Sequence, residues 1–209
     1  MQALEHQLPR VFQANILRLY NRVVRPGLEL LPIHSELAFG VAPNLDAFLD
    51  RAAAQVDNYT ANEAAKAYAL TIAAVFERQL SAWDRAIVTG GGTRPPGKSQ
   101  RYEALLARCA THAGLDLDRL GVQVDLTELL LVGNVVRHGE GPSCDRLRSM
   151  SPMLWAYAPS AYVDIVSEAP PVSERMRVSA YDLARYVRAA ARFWGHVDSL
   201  PLAALEVPV

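Results

Sequence analysis

The 209 residues carry a formal net charge of −1, and 51% of them are hydrophobic and 21% charged. This is the composition of an ordinary globular domain, and it excludes a chain that binds nucleic acid through overall basicity. No apolar run reaches the roughly 18–20 residues needed to cross a bilayer, so we expect a cytoplasmic protein without membrane contact.

The first predicted elements are helices separated by a packed loop. Apolar residues recur at three- and four-residue intervals over 11–24, which indicates an amphipathic helix that Pro26 and Gly27 are expected to stop. Residues 28–43 are irregular and predict a loop. Asn44 has the side chain of an N-cap, and a helix is expected to follow it through Val56.

The strongest helical pattern begins at Thr60. Thr60 and Glu63 have the spacing of a capping box, which predicts a helix start at this point. Seven turns of apolar residues follow, and Gly90 is expected to end the helix. We predict a central, buried helix with an apolar stripe of Tyr68, Ile72, Val75, Phe76, Leu80, Trp83 and Ile87.

The C-terminal half predicts four more helices and an irregular connection. Helices are expected over 99–113, over 142–147, and from an Asp125 N-cap to Gly139 or Gly141. Prolines and scattered aromatics over 153–172 predict a connection without regular structure, and 176–178 predicts a short extended piece. The last helix is expected to start at a capping box of Ser179 and Asp182.

Strand-like alternation is almost absent, so the sequence predicts an all-α bundle with an irregular C-terminal connection before the last helix. We expect a single domain over 1–209, in which the helices of 1–58 pack on a bundle formed by 60–198.

Two local patterns suggest phosphate or metal sites, and neither is convincing in its context. Residues 92–99 satisfy the letters of a phosphate-binding loop ending in Gly97-Lys98-Ser99. A helix precedes the loop where a strand is required, and two prolines remove amides that would bind phosphate, so we interpret it as a flexible linker. Cys109 and Cys144 have no metal-ligand spacing, and we expect reduced thiols and no metal or cofactor.

A polar cluster lies at the end of the helix that precedes Gly139. Residues three and four apart share a helix face, so Asn134 neighbours Arg137 and His138. Two interpretations are open. The cations can be ordinary partners of the helix dipole, or they can converge with the free amides of the helix starting near Ser143 on one phosphate.

The sequence from Asn134 to His138, followed by glycine inside an all-α chain, resembles the HEPN domains (higher eukaryotes and prokaryotes nucleotide-binding). Some bacterial members also end on a helix with a Phe-Trp pair, as Phe193-Trp194 does here. The resemblance implies a helical bundle, a homodimer with two motifs facing a shared cleft, and a supporting acid in an early long helix, for which Glu77 is the candidate.

The chain departs from the family at one position. Ribonuclease members carry an Arg, then four to six residues, then His, and these spacings fall here on Gly133, Val132 and Leu131. Arg137 points about 100° away from His138 around a helix, so it does not simply replace that Arg. Arg137, Arg185 or Arg188 would have to supply the charge, or the domain is not a nuclease.

The resemblance implies an RNA-cleaving or RNA-binding effector of the bacterial defence or toxin type. A metal-independent endoribonuclease would use His138 as acid or base, Arg137 as the cation and Asn134 to orient His138 or contact phosphate. Ser143, Arg185 and Arg188 would contact phosphate or RNA, and an antitoxin or defence component would be a protein partner. The alternative is a non-catalytic helical interaction or regulatory module with a degenerate motif.

Overall fold

A computed structural model of the chain describes residues 4–37, 41–89, 102–157 and 171–208. These residues contain helices and no β-strand, so the prediction of an all-α protein is confirmed. The helices are α1 (Leu4–Leu19), a π-helix (Tyr20–Val24), α2 (Arg25–Glu29), α3 (Leu45–Thr89), α4 (Tyr102–Ala113), α5 (Gln123–His138), α6 (Pro142–Met150), a 3₁₀ helix (Pro152–Trp155) and α7 (Ala180–Val197).

Helix α3 is a single helix of 45 residues, about 67 Å long at 1.5 Å per residue. Asn44 caps it as predicted, because its Oδ1 accepts the Ala47 N–H at 2.9 Å. The predicted start at Thr60 is wrong. A capping box requires a chain that enters the helix from a non-helical conformation, whereas here Glu63 binds the Lys66 ammonium at 2.7 Å within the helix. The expected division between 58 and 60 therefore falls inside α3.

The N-terminal helix also continues past its predicted end. Pro26 lies in the first turn of α2, directly after the π-helix, where a missing N–H is tolerated. Gly27 allows close packing, since an added Cβ would collide with the Tyr68 hydroxyl of α3. The two residues expected to stop the helix are thus accommodated inside it.

The core lies where α1, α3 and α7 meet. Trp194 is fully buried, and its ring lies 5.0 Å from Phe12 and 5.9 Å from both Phe76 and Trp83. Its indole N–H donates to the side-chain oxygen of Gln79 at 2.9 Å, so the polar atom of this buried ring has a partner. The predicted central position of α3 is confirmed over this stretch, where Ile72, Phe76, Leu80 and Trp83 are buried.

The C-terminal connection is tied to α3 by one amide side chain. Asn62 donates to the Met176 carbonyl and accepts from the Val178 N–H, at 3.1 and 3.0 Å. Residues 176–178 form no strand, but the Met176 carbonyl and the Val178 N–H hydrogen-bond to the Asn62 side chain, as the edge of a β-sheet does to a neighbouring strand. The Ser179–Asp182 capping box is present as predicted and starts α7 at Ala180.

Helix α5 lies very close to α3 at Gly133. A Cβ added to Gly133 would lie 3.1 Å from the Ala73 Cβ, tighter than an ordinary van der Waals contact. The preceding residues Leu131 and Val132 are 3% and 0% exposed. All three positions that could hold the HEPN-type Arg therefore lie in the core.

Introducing that Arg should disrupt the fold rather than complete a site. We expect Gly133→Arg to lower the free energy of unfolding by at least about 3 kcal/mol, because a guanidinium and its side chain would be forced into a packed crossing. Urea denaturation followed by circular dichroism measures this. Val124→Arg, on an exposed position of the same helix, is the control and should cost less than about 1 kcal/mol. Equal stability of the two variants would contradict the crossing.

Candidate functional site

The polar cluster lies at the C-terminal end of α5, as the sequence predicts. Gly139 has a φ of 72°, which L side chains rarely adopt, and its N–H closes the last turn on the Val135 carbonyl at 2.8 Å. Arg137 and His138 are exposed beside this cap. Gly141 then turns the chain with a φ of 142° into α6.

Asn134 is oriented toward α6 rather than toward His138. Its side-chain amide donates to the Ser143 hydroxyl at 3.5 Å, the outer limit for a hydrogen bond. In the portions of the chain that the structure describes, neither Arg137 nor His138 has a side-chain hydrogen bond or ion pair. The structure thus brings Asn134 and Ser143 together and leaves the Arg137 and His138 side chains exposed.

The Glu140 carboxylate lies on one side of this helix end. The Glu140 carboxylate accepts the Ser173 N–H at 2.6 Å, and this bond, followed by the one from the Ser173 hydroxyl, lowers the pKa of Glu140. Ser173 also lies beside Gly139. An ionised carboxylate near His138 opposes the approach of a phosphate, and nothing in the local sequence signals its position.

Glu77 is not part of the cluster. It lies near Tyr102, whose pKa is raised by burial and then by the charge of Glu77. The Tyr102 hydroxyl donates to the Leu126 carbonyl at 3.4 Å. Leu126 is twelve residues before His138, about 18 Å along the axis of α5, so Glu77 lies toward the opposite end of the helix.

Arg185 is held by three carboxylates. Its guanidinium donates to Asp125 at 2.5 Å, to Asp182 at 3.2 Å and to Glu128. Burial by itself lowers the pKa of Arg185, but the hydrogen bonds to Glu128 and Asp125 raise it above its ordinary value. Because Glu128 is ten residues before His138, about 15 Å along the helix, Arg185 and His138 do not share a site.

The Arg185 contacts belong to a buried polar network around Glu128, which is only 3% exposed. The Tyr186 hydroxyl donates to the Glu128 carboxylate at 2.5 Å, and the Ser151 hydroxyl donates to its other oxygen. Burial, and then the charge of Glu128, raises the pKa of Tyr186. The network joins α5, α7 and the end of α6, and its members satisfy one another.

The sequence pairs Asp125 and Glu128 at the spacing of a helix start, and that interpretation is wrong. Helix α5 begins at Gln123 after Val122, and no side chain caps it. Asp125 lies inside the first turn, where it binds Arg185 instead. Asp182 and Arg185 are three residues apart on α7, as Asp125 and Glu128 are on α5, and this shared spacing is the sequence signal that could have predicted the network.

Arg188 lies one turn after Arg185 and is half-buried. It has no ion-pair partner in the described ranges, and it lies on α7, whereas His138 lies on α5. The 92–99 loop lies outside the described residues.

The two thiols are buried, and their surroundings disfavour the thiolate form. Both cysteines are buried, and burial raises the pKa of Cys109 to about 12 and also raises that of Cys144. Within 4–37, 41–89, 102–157 and 171–208, no three His, Cys, Asp or Glu residues cluster as metal ligands. Of the helices in these ranges, none combines the length and the apolar character that crossing a bilayer requires.

We compared the chain with protein-family models, with curated proteins and with solved structures, and found no significant match in any of the three.

Removing Arg185 should reveal its structural role. We expect Arg185→Met to lower the free energy of unfolding by about 3–5 kcal/mol, because Glu128 would keep a buried charge without its cation. Arg188→Met, one turn away on the same helix, should cost less than about 1 kcal/mol. Chemical denaturation measures both. An Arg185→Met protein of wild-type stability would show that the network does not hold these helices together.

Proposed function

We propose that this chain is a non-catalytic helical interaction module that pairs with a second copy of itself through the first third of α3. The observation that carries the proposal is an apolar stripe on this part of the helix, defined here as the α3 stripe. Its four large members are between 46% and 69% exposed. The α3 stripe consists of Leu45, Phe48, Ala52, Val56 and Tyr59.

The α3 stripe is continuous and uncharged. Its five positions fall within about 80° of the helix circumference, so they form one face. Leu49, which is 53% exposed, lies at one edge of that face beside Val56, and Asp46, Asp50 and Asp57 lie beyond this edge. Single exposed apolar residues are normal, but a contiguous row of them marks a surface for another protein.

The spacing of the α3 stripe favours a second copy as the occupant. The steps between its members are three, four, four and three residues, which is symmetrical about Ala52. Two antiparallel copies therefore place Leu45 against Tyr59 and Phe48 against Val56, while the small Ala52 meets its own equivalent. A self-complementary patch of this kind is what a two-fold dimer requires.

The degenerate motif supports a role without catalysis. Leu131, Val132 and Gly133 are buried at the α3 crossing, and the Arg185 charge is occupied by carboxylates. None of the three positions at which ribonuclease members of the HEPN domains carry the Arg therefore holds a cation here. An antitoxin-like or defence partner would be a further occupant of the module.

A metal-independent RNA-cleaving effector is the second candidate, and one observation favours it. Arg137 and His138 are both exposed at the same helix end, next to the amides of α6. His138 would exchange a proton with a ribose hydroxyl, and Arg137 would stabilise charge on the phosphate.

Sedimentation equilibrium tests the pairing. A stripe of this size is smaller than a standard interface, so we expect a concentration-dependent dimer with a Kd of about 1–100 μM. Val56→Glu should weaken it at least about 10-fold, because each copy would bury a carboxylate. Val124→Glu, on an equally exposed valine of α5, should leave it unchanged. A wild-type monomer at about 1 mM, or a dimer that tolerates Val56→Glu, would contradict the proposal.

An RNA cleavage assay in EDTA separates the two candidates. The module should cut no RNA, and His138→Ala should leave its stability within about 1 kcal/mol of wild type because the side chain is exposed. The second candidate requires cleavage that falls roughly 10²–10⁴-fold in His138→Ala and also weakens in Arg137→Ala. His112→Ala, another exposed histidine in a last helical turn, is the control. Cleavage lost only in the His138 variant would overturn the non-catalytic assignment.

A further inference from the structure

A cavity of about 610 Å³ lies between α2, the start of the loop after it, α3 and residues 177–180. Its volume is within the roughly 300–1,000 Å³ that small-molecule sites occupy. Its lining along α3 runs from Asn58 to Ala65, which is about 10 Å of helix. Among the described residues, none at the end of α5 lines it, so the cavity is separate from the polar cluster at His138.

Small residues of α3 form the floor of the cavity. Ala61 and Ala65 lie one turn apart and are 8% and 2% exposed, so the floor is a surface of buried methyl groups. Tyr20 and Val178, which are also buried, and the half-buried Leu28 form walls around it. A ligand on this floor leaves water and contacts mainly carbon, which favours an apolar molecule.

Two tyrosine rings line the cavity. Tyr20 is the first residue of the π-helix, and single turns of π-helix occur frequently at functional sites. Tyr157 contributes the second ring, and the Arg177 guanidinium lies 4.9 Å from its centre. Aromatic rings pack favourably edge-to-face or offset, so this lining favours a ligand that is itself aromatic.

Charged side chains of the lining are exposed and already lie beside opposite charges. Arg25 lies 3.9 Å from the Glu29 carboxylate, and both side chains are more than half exposed. The His34 ring lies 2.9 Å from the Asp57 carboxylate, and these two side chains are also well hydrated. The charges therefore remain in water and balance one another, while the floor is apolar.

Amide side chains of the lining hold the protein's own backbone. Asn58 accepts the His34 N–H at 2.8 Å and donates to the His34 carbonyl at 2.9 Å. Asn62 holds Met176 and Val178 in the same way, as described above. Both amides thus stabilise the walls, because each connects α3 to a neighbouring segment.

The polar side chains of residues 177–179 are engaged as well. The Arg177 guanidinium donates to the Glu174 and Met176 carbonyls, at 3.0 and 3.2 Å. The Ser179 hydroxyl belongs to the capping box with Asp182. An ion that entered the cavity would exchange water for apolar surface and for groups that already have partners, which is unfavourable.

We propose that this cavity binds an uncharged aromatic molecule of two or three rings, about 10 Å long. The ring system lies on Ala61 and Ala65 and contacts Tyr20 and Val178. The proposal is independent of the α3 stripe, because the centre of the floor lies about 160° around α3 from Ala52 at the centre of the stripe.

A matched pair of fluorescent probes tests the chemistry of the site. N-phenylnaphthylamine is uncharged, and anilinonaphthalene sulfonate has the same rings with one negative charge. We expect one N-phenylnaphthylamine per chain with a Kd on the order of 10 μM, and at least about 10-fold weaker binding of the sulfonate. A sulfonate that binds as tightly as the uncharged probe, several uncharged probes per chain, or no binding at about 1 mM protein would overturn the proposal.

Two pairs of variants locate the uncharged probe. Ala61→Leu fills the floor and should weaken N-phenylnaphthylamine at least about 10-fold, whereas Ala53→Leu, on an exposed position of α3, should not change its binding. Leu28→Gln places an amide in the wall and should weaken the probe at least about 3-fold. Leu30→Gln is its control, because Leu30 is 84% exposed and does not line the cavity.

A variant of the α3 stripe excludes the other apolar surface. Val56→Glu should leave N-phenylnaphthylamine binding unchanged, and a loss in this variant would place the probe on the stripe and overturn the proposal. Circular dichroism shows whether Ala61→Leu is folded, and if it is not, the Leu28→Gln pair decides. Binding that is unchanged in Leu28→Gln, or in a folded Ala61→Leu protein, would place the ligand elsewhere and also overturn the proposal.

Discussion

The close approach of α5 to α3 at Gly133 determines the arrangement of the rest of the molecule. Glycine lets α5 come this close without strain, because a methyl group here would lie 3.1 Å from the Ala73 Cβ and would require the helices to move apart slightly. Around this crossing α5 is buried on all sides, including Leu131, Val132 and Val135. Arg137 lies one turn after Gly133 on the same face, so Arg137 and His138 are exposed because they lie in the last turn of the helix, beyond the crossing.

Opposite charges are thereby separated along α5. Its N-terminal half carries Asp125 and the buried Glu128, both engaged by Arg185, and its C-terminal end carries Arg137 and His138. Each arrangement complements the helix dipole. Desolvating a carboxylate costs several kcal/mol unless a cation and hydrogen bonds compensate, so Arg185 is committed to the network and its charge is not available to a phosphate at the other end.

Local sequence signals predicted the start or end of a helix correctly where the capping groups lie close together in the sequence. The side chains of Asn44 and of the Ser179–Asp182 pair begin helices as predicted, and Gly139 ends one through its left-handed backbone, because each satisfies backbone groups within four residues. Thr60, Asp125 and Pro26 carry equally good signals, yet the long α3, the Arg185 network and the π-helix override them. The helix-end cluster was predictable from residues within one turn, whereas the Glu128 network and the cavity join residues more than 50 positions apart.

The length of α3 explains why apolar surface is exposed on its N-terminal part and not at the end of α5. Beyond Ala65, the bundle packs against α3, and the large apolar residues that the structure describes there are buried or partly buried. Before that point the helix has neighbours on fewer sides, so Phe48 and Val56 face outward while Ala61 and Ala65 form the floor of a cavity. Apolar area left in water is unfavourable by roughly 25 cal/mol per Å², so this segment gains more from a partner or ligand than the hydrated, charged helix end does. The N-terminal part of α3 is thus the section where an additional contact is most favourable.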